Sequence, residues 1–135
     1  MKKTFKQIQE IDNLVGVMYA KQPELKDSKF GYAYNKFFEK NYAPTLKVLK
    51  EELTDSTVDH ALEDETTKAL LKDEKGEYKY SKEGQKALMK AQREIYEKYN
   101  NLEIEVEPYI STFTPNLTEE EREMLEGTLI ETKKK

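Results

Sequence analysis

Apolar residues recur every three or four positions over most of this chain, the period of an amphipathic helix. Phe5, Ile8, Ile11, Val15 and Met18 fall on one face and predict a first helix from about Thr4 to Ala20. Thr4 with Gln7 makes a capping box at its start. Pro23 ends the pattern, so residues 21–26 read as a connector. Asp27 or Ser28 caps a second helical segment, from about Phe30 to Leu53. It carries one stripe of Phe30, Tyr34 and Phe37, and another of Phe38, Tyr42, Leu46, Leu49 and Leu53. Pro44 interrupts it. A proline inside a helix removes a hydrogen bond and clashes with the preceding turn, so Pro44 either kinks this helix or opens a separate one from its first turn. Val58, Ala61 and Leu62 extend the pattern for two more turns.

A different period follows. Tyr78 and Tyr80 alternate with Glu77 and Lys79, as in a half-buried strand, and Asp73-Glu-Lys-Gly76 before them reads as a turn. With Ala69 to Leu71 on its other side, this turn predicts a small β-ribbon. Ser81 caps a third helical segment reaching Asn100, with Leu88, Ala91, Ile95 and Tyr99 on one face. Leu102-Glu-Ile-Glu-Val-Glu107 alternates strictly and predicts a short strand, stopped by Pro108. Thr118 and Glu121 form a second capping box, opening a short helix with Met124, Leu125 and Leu129, and Gly127 near its end. The expected fold is α+β, mainly α: an antiparallel helical hairpin with a β-ribbon at its tip, then a short C-terminal strand and helix. Residues 1–130 read as one domain and 131–135 as a frayed basic tail.

Composition narrows the function more than the fold. Charged residues make up 37% of the 135 and hydrophobic ones 36%, which favours an elongated helical protein or one whose apolar stripes are completed by a partner. Nine tyrosines and five phenylalanines, many at helical spacing, argue against disorder. There is no cysteine, which removes disulfides and thiolate chemistry. No apolar run approaches the ~20 residues that span a bilayer, and no apolar segment follows the basic start, so neither membrane insertion nor a signal peptide is expected. A net charge of −4 with mixed signs offers no long-range attraction to nucleic acid.

Candidate chemistry is sparse. His60 stands near Asp59, Glu63 and Asp64, but one histidine among exposed carboxylates makes a poor zinc site. Ser56 lies four residues before it without a glycine elbow to build an oxyanion pocket. The 73–76 turn lacks the alternating carboxylates of a calcium loop, and the five glycines form no phosphate-binding pattern. Glu103, Glu105 and Glu107 read as the solvent face of an edge strand. No catalytic residue, cofactor or metal site is expected. The aromatic surplus is the remaining signal: Phe30, Tyr32, Tyr34, Phe37, Phe38 and Tyr42 cover more than one helix face, and Phe30, Tyr34, Phe37, Phe38 and Tyr42 serve either the core or an interface with a protein partner or a second copy.

The order of parts resembles that of a loose group of small tailed-bacteriophage proteins. The matching stretches are Lys29 to Tyr34, Leu70 to Tyr80 and Leu102 to Glu107, within residues 8–110. The resemblance implies a phage or prophage origin and a role in virion structure or assembly. With the absent catalytic set and the aromatic surplus, the expected function is a non-enzymatic structural or assembly accessory protein acting through protein–protein contacts, in the cytoplasm of a bacterial host or in the virion. The alternative is a small regulatory module that inhibits or recruits a host protein.

Overall fold

The computed structural model describes residues 1–132; the lysines of the expected basic tail, 133–135, lie outside the described residues. The elements run β1 (Lys2–Thr4), α1 (Phe5–Lys21), a 3₁₀ helix (Pro23–Asp27), α2 (Lys29–Asn41), α3 (Ala43–His60), α4 (Lys82–Asn100), β2 (Glu103–Glu105) and α5 (Glu119–Leu125). The protein is mainly helical with a small antiparallel sheet. It divides into two compact units, one of residues 1–45 and 100–135, the other of residues 46–99.

In the first unit, the Thr4–Gln7 capping box opens α1. The five apolar residues of its stripe, Phe5, Ile8, Ile11, Val15 and Met18, are all buried. Pro23 starts the 3₁₀ helix, which buries Leu25, and the Ser28 hydroxyl accepts from Gly31 N–H to cap α2. α2 is packed close to the 3₁₀ helix. A Cβ on Gly31 would stand 2.4 Å from the Lys26 carbonyl oxygen and 2.6 Å from that of Leu25, so only glycine fits there. α2 ends at Asn41, where Tyr42 N–H closes on the Phe38 carbonyl. Pro44 then occupies the second position of α3, where a proline's missing N–H and fixed φ cost little. The proline therefore separates two helices.

The sheet pairs β1 with β2 antiparallel, Lys3 opposite Ile104. Sequence periodicity shows β2 but not β1, because three residues before a helix carry too short a pattern to read. Beyond β2, Val106 is buried, and Glu121 N–H binds Thr118 Oγ1 in the second capping box, which opens α5. A turn with Gly127 at φ +81° follows α5, a conformation glycine adopts without strain. Leu125, Leu129 and Ile130 around it are fully buried.

In the second unit α3 and α4 run antiparallel. Glu52 meets Lys98 at 3.1 Å, and the space beside Gly84 faces the His60 carbonyl. α3 runs unbroken through residues 54–57 to His60. Ser81 caps α4 through Gly84 N–H. Between these helices the expected ribbon forms as isolated bridges, Glu63 with Leu70 and Lys72 with Tyr78. Leu62 joins it by donating to the Lys79 carbonyl and accepting from Leu71 N–H. The 73–76 turn closes as expected, with Gly76 at φ +83° and the Asp73 carboxylate accepting from the Lys75 and Glu77 N–H groups. Among the described residues no helix is long and apolar enough to cross a membrane.

Glu52 is held below the usual carboxylate range by hydrogen bonds from the Tyr99 hydroxyl and the Lys98 ammonium. A depressed folded-state value means that this contribution is complete above the ordinary carboxylate range and is lost as pH falls through the depressed value. Urea unfolding followed from pH 7 down to pH 3 should show a shallower acid loss in Glu52→Gln than in the parent. A second pair of variants tests the close packing of α2. Gly31→Ala should destabilise by about 2 kcal/mol or more, since both obstructing atoms are backbone. Gly16→Ala, in open space on α1, should gain up to ~1 kcal/mol in helix propensity by the same unfolding measurement.

Candidate interaction surface

The aromatic residues of α2 divide by helical phase. Phe30, Phe37 and Tyr34 point into the first unit, and Tyr42 follows them at the end of the helix; each is less than a tenth exposed. Phe38 is half-buried, stacked on Tyr42 at 5.1 Å between ring centroids, and Tyr42 stacks in turn on Phe5 at 5.0 Å. Burial, and then the nearby charge of Asp12, raise the Tyr42 hydroxyl above its ordinary value. Of these five residues Phe30, Tyr34, Phe37 and Tyr42 are buried in the core, while Phe38 is half-buried. Buried rings cannot meet a partner without being uncovered, so of the residues expected at an interface Phe30, Tyr34, Phe37 and Tyr42 serve the core.

Tyr32 is out of phase with that stripe and 56% exposed. Its ring meets Tyr109 edge to face at 6.0 Å, and Lys36 Nζ stands 5.6 Å from the Tyr32 centroid. Edge-to-face pairing and cation–π attraction both hold an exposed ring in one orientation. Tyr109 belongs to the segment 108–112, which runs on from β2. Lys29, Tyr32 and Ala33 form one wall of an open groove of about 450 Å³, and Pro108 to Thr112 form the other. Ile110 and Phe113 add exposed apolar surface to the same stretch of chain.

Hydrogen bonds fix the second wall. Asn41 is buried, and its Nδ2 donates to the Glu107 carbonyl at 2.8 Å while its Oδ1 accepts from Glu107 N–H at 2.8 Å. Two residues on, Tyr109 N–H donates to the Thr128 carbonyl and Ser111 N–H to that of Leu129. Ser111 Oγ then closes a tight turn with Phe113, donating to its carbonyl and accepting from its N–H. The groove is therefore built on rigid supports with an aromatic lining and lysines nearby. Concave, preformed, partly apolar surface with aromatic anchors is suited to holding a side chain of another protein.

The other residues singled out by sequence lie elsewhere. His60 Nδ1 bonds the Ser56 backbone carbonyl at 2.8 Å, and the Ser56 hydroxyl has no hydrogen-bond partner among the described residues, so the two form no nucleophile–base pair. The Asp64 carboxylate accepts from the Thr67 and Thr66 N–H groups, which hold it below its ordinary value and commit it to a turn. Glu107 pairs with Lys40 at 3.2 Å on the surface, and Glu103 and Glu105 are exposed. Among the described residues no three His, Asp or Glu side chains converge to hold a metal ion.

Sequence reasoning counted Tyr32 in the aromatic surplus but did not separate it from the core set, and it passed over Tyr109 and Ile110. The signal for Tyr32 was its phase: two residues from Phe30 and two from Tyr34, it cannot share their face. Nothing local marked Tyr109, because its role depends on a wall built from distant backbone.

Replacing Asn41 with alanine removes both bonds to Glu107 and leaves a carbonyl and an N–H without partners. The cost should be about 2 kcal/mol in unfolding free energy. Hydrogen exchange at the Glu107 amide should accelerate by more than at amides of α1. No protein-family model, no curated protein and no solved structure matches the chain.

Proposed function

We propose that this chain is a non-enzymatic accessory protein that acts through protein–protein contacts, using the groove between α2 and residues 108–112. The observation that carries this reading is the exposed Tyr32–Tyr109 pair, one ring from each wall of the groove. Solvent-exposed aromatic rings held in one orientation lose little entropy on binding, which makes them effective anchors. Lys29 and Lys36 beside the groove favour a partner that brings carboxylates around an apolar or aromatic side chain. The phage-type structural or assembly role implied by the sequence resemblance is the setting that such contacts would serve.

The test compares the parent with Tyr32→Ala. The exposed ring supports no core, so circular dichroism should be unchanged. Light scattering over a concentration series reads self-association, and capture from bacterial lysate reads a foreign partner. Assembly or capture should weaken by at least tenfold in Tyr32→Ala, as for an interface anchor. Association unaffected by this substitution would reject the groove. A turnover abolished by substituting His60 would reject the non-enzymatic reading.

A further inference from the structure

The second unit carries a cleft of a different kind, whose chemistry does not depend on the groove. Glu52, Ser56 and His60 stand four residues apart on α3, Asp55 and Asp59 form a second row four apart beside them, and the two rows share one face of the helix. Together with Ala91 and Ile95 of α4 they line an open cleft of about 360 Å³.

Two features of this cleft run against local stability. The first is charge placement. Asp55 and Asp59 are four apart, where like charges repel, and they lie in the last turns of α3, where the helix dipole favours cations. Lys98 pairs with Glu52, but neither aspartate has an ion pair among the described residues. The second is Ser56. It is 7% exposed, and its Oγ is buried without a hydrogen-bond partner among the described residues. A buried hydroxyl left unpaired is costly, and natural proteins leave few of them. Local rules broken together in one place, without compensation within the fold, mark a functional site.

We propose that this cleft binds a guanidinium group, the side chain of an arginine presented by a partner protein. A cation there would relieve the repulsion between Asp55 and Asp59. The planar fork of a guanidinium can bond two carboxylates one helical turn apart. Its weakly hydrated faces can lie against Ala91 and Ile95, where the compact, strongly hydrated ammonium of lysine gains less. Ser56 Oγ, between the two aspartates in sequence and enclosed beneath the cleft, gains a donor as the guanidinium moves aside the side chains that cover it. Among the described residues no three carboxylate or imidazole side chains converge to hold a metal ion, whereas a guanidinium needs only two carboxylates.

The probe is the blocked peptide acetyl-Gly-Arg-Gly-amide, titrated into the full chain and followed by amide resonances of Ser56, His60 and Ala91. These resonances should shift saturably. The citrulline peptide, equal in shape but uncharged, should leave them in place, and the lysine peptide should bind at least tenfold more weakly. Asp55→Asn combined with Asp59→Asn removes a repulsion and so should fold, and it should weaken the arginine peptide at least tenfold. Ser56→Ala should weaken it severalfold with an unchanged circular dichroism spectrum. Absence of saturable shifts, equal binding of lysine and arginine, or undiminished binding by the double variant would each overturn the assignment. The peptide comparison uses unaltered protein, so it decides the question even if a variant fails to fold.

Discussion

A buried amide at the end of α2 holds the first unit to its purpose. Asn41 bonds both backbone groups of Glu107, and in doing so ties the chain leaving β2 to the helix. Its Nδ2 also reaches the Phe37 carbonyl, which fixes the side chain before it meets the strand. Burying an amide is favourable only when its donors and acceptor are matched, so this contact has one geometry and little tolerance. Everything downstream inherits that geometry. Val106 enters the core on one side of Glu107 and Pro108 leaves it on the other. The following residues are laid against the carbonyls of Thr128 and Leu129, which the buried Leu125, Leu129 and Ile130 hold in place.

The division of labour along α2 follows from one helix having more aromatic residues than a single face can bury. Phe30, Tyr34 and Phe37 are one, one and two turns apart and fill the core with Phe5 and Tyr42. Tyr32 falls between them in sequence and on another side in space. Gly31 allows this arrangement, because the helix sits so close to the 3₁₀ helix that any side chain at that position would collide with backbone. Close approach turns the Tyr32 face away from the 3₁₀ helix and toward the segment carrying Tyr109.

The second unit shows the opposite economy. Its two helices bury few residues fully, with Leu49 and Ser56 on α3 and Leu88 and Tyr99 on α4. Polar contacts carry a larger share of the pairing there: Tyr99 and Lys98 converge on Glu52 at one end, and Ser81 caps α4 near the His60 carbonyl at the other. A lightly packed pair of helices leaves carboxylates facing an open cleft.

Much of this was legible in the sequence. Both capping boxes, the five-residue core stripe of α1, the 73–76 turn with its glycine and the strand after Asn100 are local patterns, set by side chains within a turn or two of each other. The fold class follows from the same periodicities. Pro44 announced a disruption, but whether it bent one helix or opened another depended on how Asn41 was anchored by Glu107, 66 positions away, and Tyr42 by Phe5. The pairing of β1 with β2 joins segments about a hundred residues apart, and three-residue strands carry no period to reveal them. The same holds for the surfaces. Phase showed that Tyr32 could not share a face with Phe30, yet only the tertiary structure brought Tyr109 to its ring. The acidic spacing on α3 was present in the sequence, and only the packing of Ala91 and Ile95 opposite turned it into a cleft. Local sequence determines which residues form an element, because neighbouring side chains and backbone groups decide that alone. Which element faces which is decided by burial and hydrogen bonds between distant segments, and that information exists only once the chain has folded.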